Sequence, residues 1–521
     1  MIRDNRQFKT IACAGGLDLE SNPLKIAAGR LIACKNYSVK SGGGYSRISG
    51  YEAFDGQPSP SESETPETAR ALIQAVPGEG DILGVWIYAG KVYAFRNNAG
   101  STEAKMFESS AAGWAEVVTG VALSPGGKYE FANYNFYGAT SAAKMFGVDG
   151  VNKGFMFDGT TFTQLSVPGE TDKPQHIAAH KNHLFLSYPQ GQYLHSSIGE
   201  PNDWDAATGG AGSAGAGDDI VGMQPTVGGA LAILMRNRVS VLYGSSQADW
   251  QANDLRGQES QSGAIEGTIQ DVGGDLVYLD DRGLTSMRQA QSFGNFESAT
   301  IDKPVRTLIK KRKDKVITSL ISRSTNQYRL ILDHPLGTEV IALTFGDNGA
   351  EGFTQHLYPF KATCACSLED SDGVERIMVG AADGFIYELD KGRSFNGEDI
   401  ESYIKLSYDN LGMPKHNKRF RSAQMSLDTS SQLTLRVKPD FDYGSSEKSG
   451  HRVVDGNVIG GGALWGGGNW GEFTFGAQLY GESDIDISGT ARNMSLMIHH
   501  KGSDTLPFTI YDIITTYSMR G

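Results

Sequence analysis

The stretch Arg376-Ile-Met-Val-Gly-Ala-Ala-Asp-Gly-Phe-Ile-Tyr-Glu-Leu389 reads as two apolar strands around an Asp-Gly turn. Side chains that alternate with period two line the two faces of a strand, and Asp and Gly supply the backbone freedom that a tight hairpin needs. The same pattern recurs about seven times between residues 70 and 395. The other instances are 85–95, 154–162, 176–186, 232–243, 276–287 and 328–343. From the fourth instance onward the turn centres, near 237, 282, 335 and 383, lie 45, 53 and 48 residues apart. That spacing matches the roughly 40–50 residues of a four-stranded propeller blade. The earlier turns, near 90, 159 and 181, are 69 and 22 residues apart, which implies insertions or a mixed register. An all-β chain with a β-propeller of about six to eight blades is the expected architecture, and a series of β-sandwiches is its competitor.

Outward from the repeats, the chain divides into four stretches. Residues 1–56 contain Gly15-Gly16-Leu17-Asp18-Leu19 and Ser41-Gly42-Gly43-Gly44-Tyr45 but no repeat, so they are expected to form a separate extended arm. Residues 57–69, polar, acidic and proline-spaced, are expected to be a mobile or extended linker. The propeller follows over 70–395, with a flexible loop expected at 206–217 and a helix at 303–315, where Pro304 suits a first turn. Beyond 396, alternation in 401–408, 422–427, 433–437 and 508–511 predicts a C-terminal sheet or sandwich.

The composition agrees with this division and narrows function. Sixty-six glycines in 521 residues suit many tight turns. A net charge of -13 argues against a protein that grips nucleic acid by neutralising phosphates, although DNA could pass it without binding. Four cysteines, Cys13, Cys34, Cys364 and Cys366, are too few for a disulfide framework and are expected to be reduced. The opening residues lack a signal-like apolar run, and no stretch reaches the roughly 20 apolar residues that span a bilayer, so synthesis and retention in the cytoplasm are expected unless an assembly carries the chain out.

Candidate chemistry is sparse. His176, His180 and His183 would suit a metal on a helix, but they sit in strand sequence, where His176 and His180 share a face while His183 points away or lies in the turn. They are expected to face solvent or occupy turns. Asp281-Arg-Gly283-Leu-Thr285 partly matches the Asp-box of sialidase-like propellers, yet Leu279 and Ser286 replace its Ser and Trp, leaving an ordinary Asp-Gly turn. No nucleophile elbow, zinc-protease helix or phosphate-binding loop is present, so no enzyme and no cofactor is expected. Two basic clusters, Lys310-Lys311-Arg312-Lys313 with Lys315 and Lys415 to Arg421 including Arg419, and the tryptophans Trp465 and Trp470 of a Gly-rich segment, are the candidate partner contacts.

Residues 15–37, running from Gly-Gly-Leu-Asp to Ala-Cys-Lys-Asn-Tyr, and residues 43–60, beginning Gly-Gly-Tyr-Ser-Arg-Ile-Ser-Gly-Tyr-Glu, resemble the opening of phage tail proteins. More loosely, 231–246, 276–287 and 403–421 are similar to segments of the tail tubular B, or nozzle, proteins of short-tailed phages. The resemblance implies a structural virion protein: a propeller-bearing subunit of a ring, six copies being expected, that conducts DNA below the portal and adaptor and anchors fibres or spikes. A carbohydrate-recognising tail adhesin or depolymerase on the virion exterior is the second expectation.

Overall fold

The computed structural model describes residues 6–138, 142–169, 172–207, 209–254, 263–288, 300–347, 349–370, 372–429, 433–444, 454–458 and 480–520. Seven antiparallel sheets follow one another along residues 79–389, each a meander whose first strand lies innermost. Blade 1 runs through Glu79–Tyr88, Lys91–Asn97, Ala104–Ser110 and Gly113–Val117. Blades 2, 3, 4 and 6 occupy 130–164, 176–215, 220–254 and 316–358, with four strands each, and blade 5 has three described strands within 270–286. Blade 7 takes three strands from 362–389 and its fourth, Tyr51–Phe54, from the start of the chain.

That borrowed strand closes the ring. Phe54 pairs with Ile386 and Tyr51 with Leu389, so the outer edge of the last blade is fixed by residues more than 300 positions away. Tyr51 is buried in an aromatic cluster, stacked on Phe395 at 5.2 Å and edge-on to Phe360 and Tyr387 at 4.9 and 5.0 Å. Aromatic pairs of this kind add about 0.5–1.5 kcal/mol each beyond the area they bury.

The middle strands of the blades are buried on both faces, which is why they read as dense apolar runs. In blade 3, Leu184 and Leu186 pack with Phe146 and Val148 of blade 2, while Phe185 between them packs with Leu231 and Ile233 of blade 4. All five residues of Leu231–Met235 are buried. The uneven spacing of the first three hairpins also has a simple origin. Residues 85–95 and 176–186 join the first two strands of blades 1 and 3, residues 154–162 join the last two of blade 2, and the later four instances all join the middle pair. No insertion is needed.

The expected separate arm is instead part of a sandwich with the C-terminal region. Its six-stranded sheet aligns Arg6–Ala12, Tyr37–Val39 and Tyr45–Arg47 with Lys418–Asp428, Tyr480–Ala491 and Thr509–Met519. Its five-stranded sheet aligns Leu31–Lys35 with Ile400–Leu406, Leu433–Phe441, Val454–Val458 and Met494–Gly502. Strand Arg6–Ala12 runs along residues 512–518, a pairing that spans the whole chain. Local pattern carries no information about so distant a partner.

The sandwich is seated on the outer strand of blade 6, Gly349–Tyr358. The Leu17 and Asn36 amides donate to the Phe353 and Gln355 carbonyls at 2.8 and 2.9 Å, and the Leu357 amide donates to Asn36 Oδ1 at 2.8 Å. Gly16 permits this approach: its φ is +61°, and a Cβ there would meet the Phe353 carbonyl at 2.5 Å. Arg47 then bolts the sandwich to blade 7. Its buried guanidinium donates to the carbonyls of Thr505, Arg393 and Gly502 at 2.7, 3.1 and 3.2 Å.

Three further expectations are corrected. The 57–69 stretch is folded: a turn at Pro60–Glu62 and a helix at Pro66–Leu72 are tied down by Ser61 on Glu52 at 3.1 Å and by Lys391 on Glu62 at 2.6 Å. Its polar side chains find local partners instead of a face to bury. Within 206–217, Gly212–Gly215 is the outer strand of blade 3, held by backbone bonds to Gln192–His195 that need no side-chain signal. The helix expected over 303–315 is regular only at Arg306–Arg312, between two tighter turns, with Pro304 in the first of them.

Candidate functional site

The first strand of every blade contributes to the wall of a central channel, which encloses a cavity of about 510 Å³. The wall takes up to five consecutive residues from one inner strand, as at Glu130–Tyr134 and 221–225. Trp86 and Tyr134 supply aromatic faces, with Trp86 stacked on Phe131 at 5.4 Å and its indole N–H donating to Asn133 Oδ1 at 2.9 Å. Asn133 Nδ2 donates in turn to the Ile87 carbonyl at 3.0 Å, which fixes the amide plane. Gln175, Gln224 and Gln270 line the channel from blades 3, 4 and 5, and Gln270 is held by its bond to the Ser319 carbonyl at 3.0 Å.

The charges on the channel wall are compensated within the protein. Lys128 lies 3.9 Å from Glu266 and donates to the Ile317 carbonyl at 3.0 Å. Glu130 accepts from His176 Nδ1 at 2.8 Å. Burial of His176 works against its charged form, but the Glu130 carboxylate more than offsets this and raises its pKa above the ordinary histidine value. Arg323 pairs with Glu369 at 2.9 Å, and Asp271 accepts the Gly274 amide at 2.8 Å.

All three histidines singled out from sequence are buried, against the expectation of solvent exposure. A two-residue turn joins the strands that carry them, with Lys181 and Asn182 at φ +48° and +63°. His183 therefore lies directly across from His180, and cross-strand partners share a face. His183 and His195 flank Trp250, whose ring is 4.9 Å from His183 and 4.2 Å from His195, while the His180 ring lies 6.3 Å from Phe185. Burial pulls the His180 and His195 pKa values down to about 4. Among the described residues, no group of three or more His, Cys, Asp or Glu is placed to hold a metal ion.

The turn at 280–285 is organised by Asp280, one position before the residue that aligned with the Asp-box. Its Oδ1 accepts the Arg282 and Gly283 amides at 2.7 and 2.8 Å, and its Oδ2 accepts the Thr285 hydroxyl at 3.2 Å. Asp281 is left at the surface, where it pairs with Arg236 and Lys313, each at 3.1 Å. The four cysteines are free and buried; burial raises Cys13, Cys34 and Cys364 to about 12, 11 and 11 and raises Cys366 further. Such thiols are poor nucleophiles.

The candidate partner contacts divide. Lys310, Lys311 and Lys315 are exposed, whereas Arg312 and Lys313 are half-buried and held by Glu339 at 3.0 Å and Asp281. Lys415 and Arg419 are exposed and Arg421 is half-buried. Lys418, inside the same cluster, is wholly buried and donates to the carbonyls of Met413, His416 and Arg492 at 2.7, 3.1 and 2.7 Å, a structural role that charge counting alone misses. Trp465 and Trp470 lie outside the described residues, between strands Val454–Val458 and Tyr480–Ala491 of the two different sandwich sheets. Of the channel residues, Cys364 and Cys366 stand out in the sequence only as thiols; the rest belong to ordinary strand sequence on seven separate blades and carry no motif of their own.

No protein-family model matches the chain, and no curated protein matches it in sequence. Solved structures do. A streptogramin B lyase is similar at 11% identity and a TM-score of 0.40, over 61% of this chain and 95% of that one. Virginiamycin B lyase from Staphylococcus aureus is similar at 10% identity and a TM-score of 0.41, over 61% and 97%. YCF48 bound to a D1 peptide is similar at 12% identity and a TM-score of 0.39, over 61% and 93%. Two of these three are enzymes, and the likeness is one of fold. No helix among the described residues is long and apolar enough to cross a membrane.

Proposed function

We propose that this chain is a structural virion protein, a nozzle or hub subunit of a short phage tail. In this reading it forms a ring, six copies being the expected number, that conducts DNA below the portal and adaptor and anchors fibres or spikes. The observation that carries the reading is the position of the residues that resemble tail proteins. Residues 15–37 and 43–60 contain the strands Leu31–Lys35, Tyr45–Arg47 and Tyr51–Phe54 and the first residue of Tyr37–Val39, which join the sandwich to blade 6 and close blade 7. A subunit under internal pressure needs its parts locked together, and these strands lock them with buried hydrogen bonds. The blades' remaining outer edges are short, as at Phe162–Gln164 and Gln251–Asp254, which limits unwanted pairing.

The net charge of -13 supports a conduit wall that repels DNA and lets it slide. The channel inside each propeller has the size of a small-molecule site, so the conduit in this reading runs between copies. The exposed cations Lys310, Lys311, Lys315, Lys415 and Arg419 are assigned to contacts with acidic neighbouring subunits. Coexpression with the portal and adaptor proteins of the same gene cluster, followed by size-exclusion chromatography with light scattering, tests the assignment. A complex holding a ring several times the 56.0 kDa chain mass is expected. A chain that stays monomeric and binds neither protein would overturn it.

A further inference from the structure

We propose that the propeller channel is a binding site for a neutral saccharide, an inference that stands independently of the tail reading. The cavity, about 510 Å³, falls within the roughly 300–1,000 Å³ of small-molecule sites. Its chemistry selects among ligand classes. The Lys128, Glu130 and Arg323 side chains each have an opposite charge or an ionisable imidazole beside them, at 3.9, 2.8 and 2.9 Å, and Asp271 accepts a backbone amide at 2.8 Å. A charged ligand entering the channel would compete with these existing partners, whereas a neutral one leaves them in place.

What the wall offers instead is an aromatic face and amides. Trp86 is only partly buried, stacks on Phe131 and is oriented by its indole N–H bond to Asn133 Oδ1. Tyr134 adds a second ring from blade 2. The side-chain amides of Gln175 and Gln224 make no hydrogen bond to any described residue, and Gln270, bonded through Nε2, keeps its Oε1 as an acceptor. An amide provides both a donor and an acceptor, the pair of functions a sugar hydroxyl uses, and an aromatic face accommodates the apolar C–H face of a pyranose ring. A ring of such groups around a channel suits a polyol of one to three sugar units.

The test titrates the full chain with glucose, galactose, mannose, N-acetylglucosamine and maltotriose up to about 10 mM, concentrations that fill most of a millimolar site. Saturation-transfer NMR on the sugars and tryptophan fluorescence report binding, with inorganic phosphate as the charged comparison. At least one sugar is expected to bind saturably while phosphate does not. Trp86→Ala and Gln224→Ala are each expected to weaken it, the former by about tenfold. Because Trp86→Ala could unfold blade 1, Gln224→Ala, whose amide holds no described element in place, keeps the test decisive, and thermal melting checks that both variants are folded. No saturable binding by any of the five sugars, binding indifferent to Gln224→Ala, or preferential binding of phosphate would each overturn the proposal.

Discussion

Replacing Arg47 with methionine tests how the propeller and the sandwich are held together. The side chain is 1% exposed and donates to the Thr505, Arg393 and Gly502 carbonyls, joining the first strands of the chain, the exit from blade 7 and the loop before the last strand. A hydrogen bond to a charged group contributes about 1.5–3 kcal/mol, so three give a gross of roughly 5–9 kcal/mol. Withdrawing the guanidinium from water costs several kcal/mol in the other direction. Its pKa, drawn down by burial to about 10, reflects that cost. The expected net loss for Arg47→Met is about 2–4 kcal/mol, since the apolar chain still fills the space while three carbonyls lose their donor. Arg47→Lys is expected to lose at least as much, because a shorter single ammonium cannot span three carbonyls yet still buries its charge. Urea denaturation reads the loss as a lower midpoint, and hydrogen exchange should quicken in 45–47 and 502–505 before it does in the blades. An unchanged midpoint with unchanged exchange would refute the bolt.

Lys418→Met should cost about 2–4 kcal/mol for the same reason, three carbonyls being left without their donor, and should expose the 411–417 turn to limited proteolysis. Acidification from pH 7 to pH 5 should destabilise the chain. Burial lowers His180, His195 and His500 to about 4 and His356 to about 3, so below the ordinary value of 6.5 the unfolded chain takes up protons that the folded one refuses. Each contributes a slope of up to ~1.4 kcal/mol per pH unit in that window; His176, Asp302 (pushed up by burial to about 6) and Asp172 (also raised by burial) work in the opposite sense, three against four. Urea midpoints that hold constant from pH 7 to 5 would contradict this. Ellman's reagent should titrate almost no thiol in the native protein and four in urea, and a fast-reacting native thiol would show that one of the buried cysteines is accessible. Deletion of residues 1–56 should prevent folding of blade 7 and the sandwich; a soluble, cooperatively melting product would restore the separate arm.

What could be read from the sequence depended on whether a residue's partner lay nearby. The middle strands of the blades, such as Leu231–Met235 and Gln327–His334, carry their own signal because both faces are buried by neighbouring blades. The outer strands do not: Gln251–Asp254 is exposed at every position and Gly212–Gly215 has almost no side chains. Strands Arg6–Ala12 and Tyr51–Phe54 pair with residues 512–518 and 386–389, so they read as an arm until the ring is closed. His183 reads as pointing away from His180 because its two-residue turn, with two positive φ angles, is made by Lys181 and Asn182 without the glycine that signals such a turn. The channel stayed hidden for a geometric reason, since Trp86, Asn133, Gln224 and Gln270 come together only when four blades do.

The central claim, that the chain is a ring-forming tail subunit, is tested most directly by cryo-electron microscopy of the purified protein, alone and mixed with its adaptor. The account predicts closed rings with a central channel, near six-fold symmetry, stacked on the adaptor with the sandwich at a subunit boundary. Particles that remain single propellers with an attached sandwich under every mixing condition would contradict it.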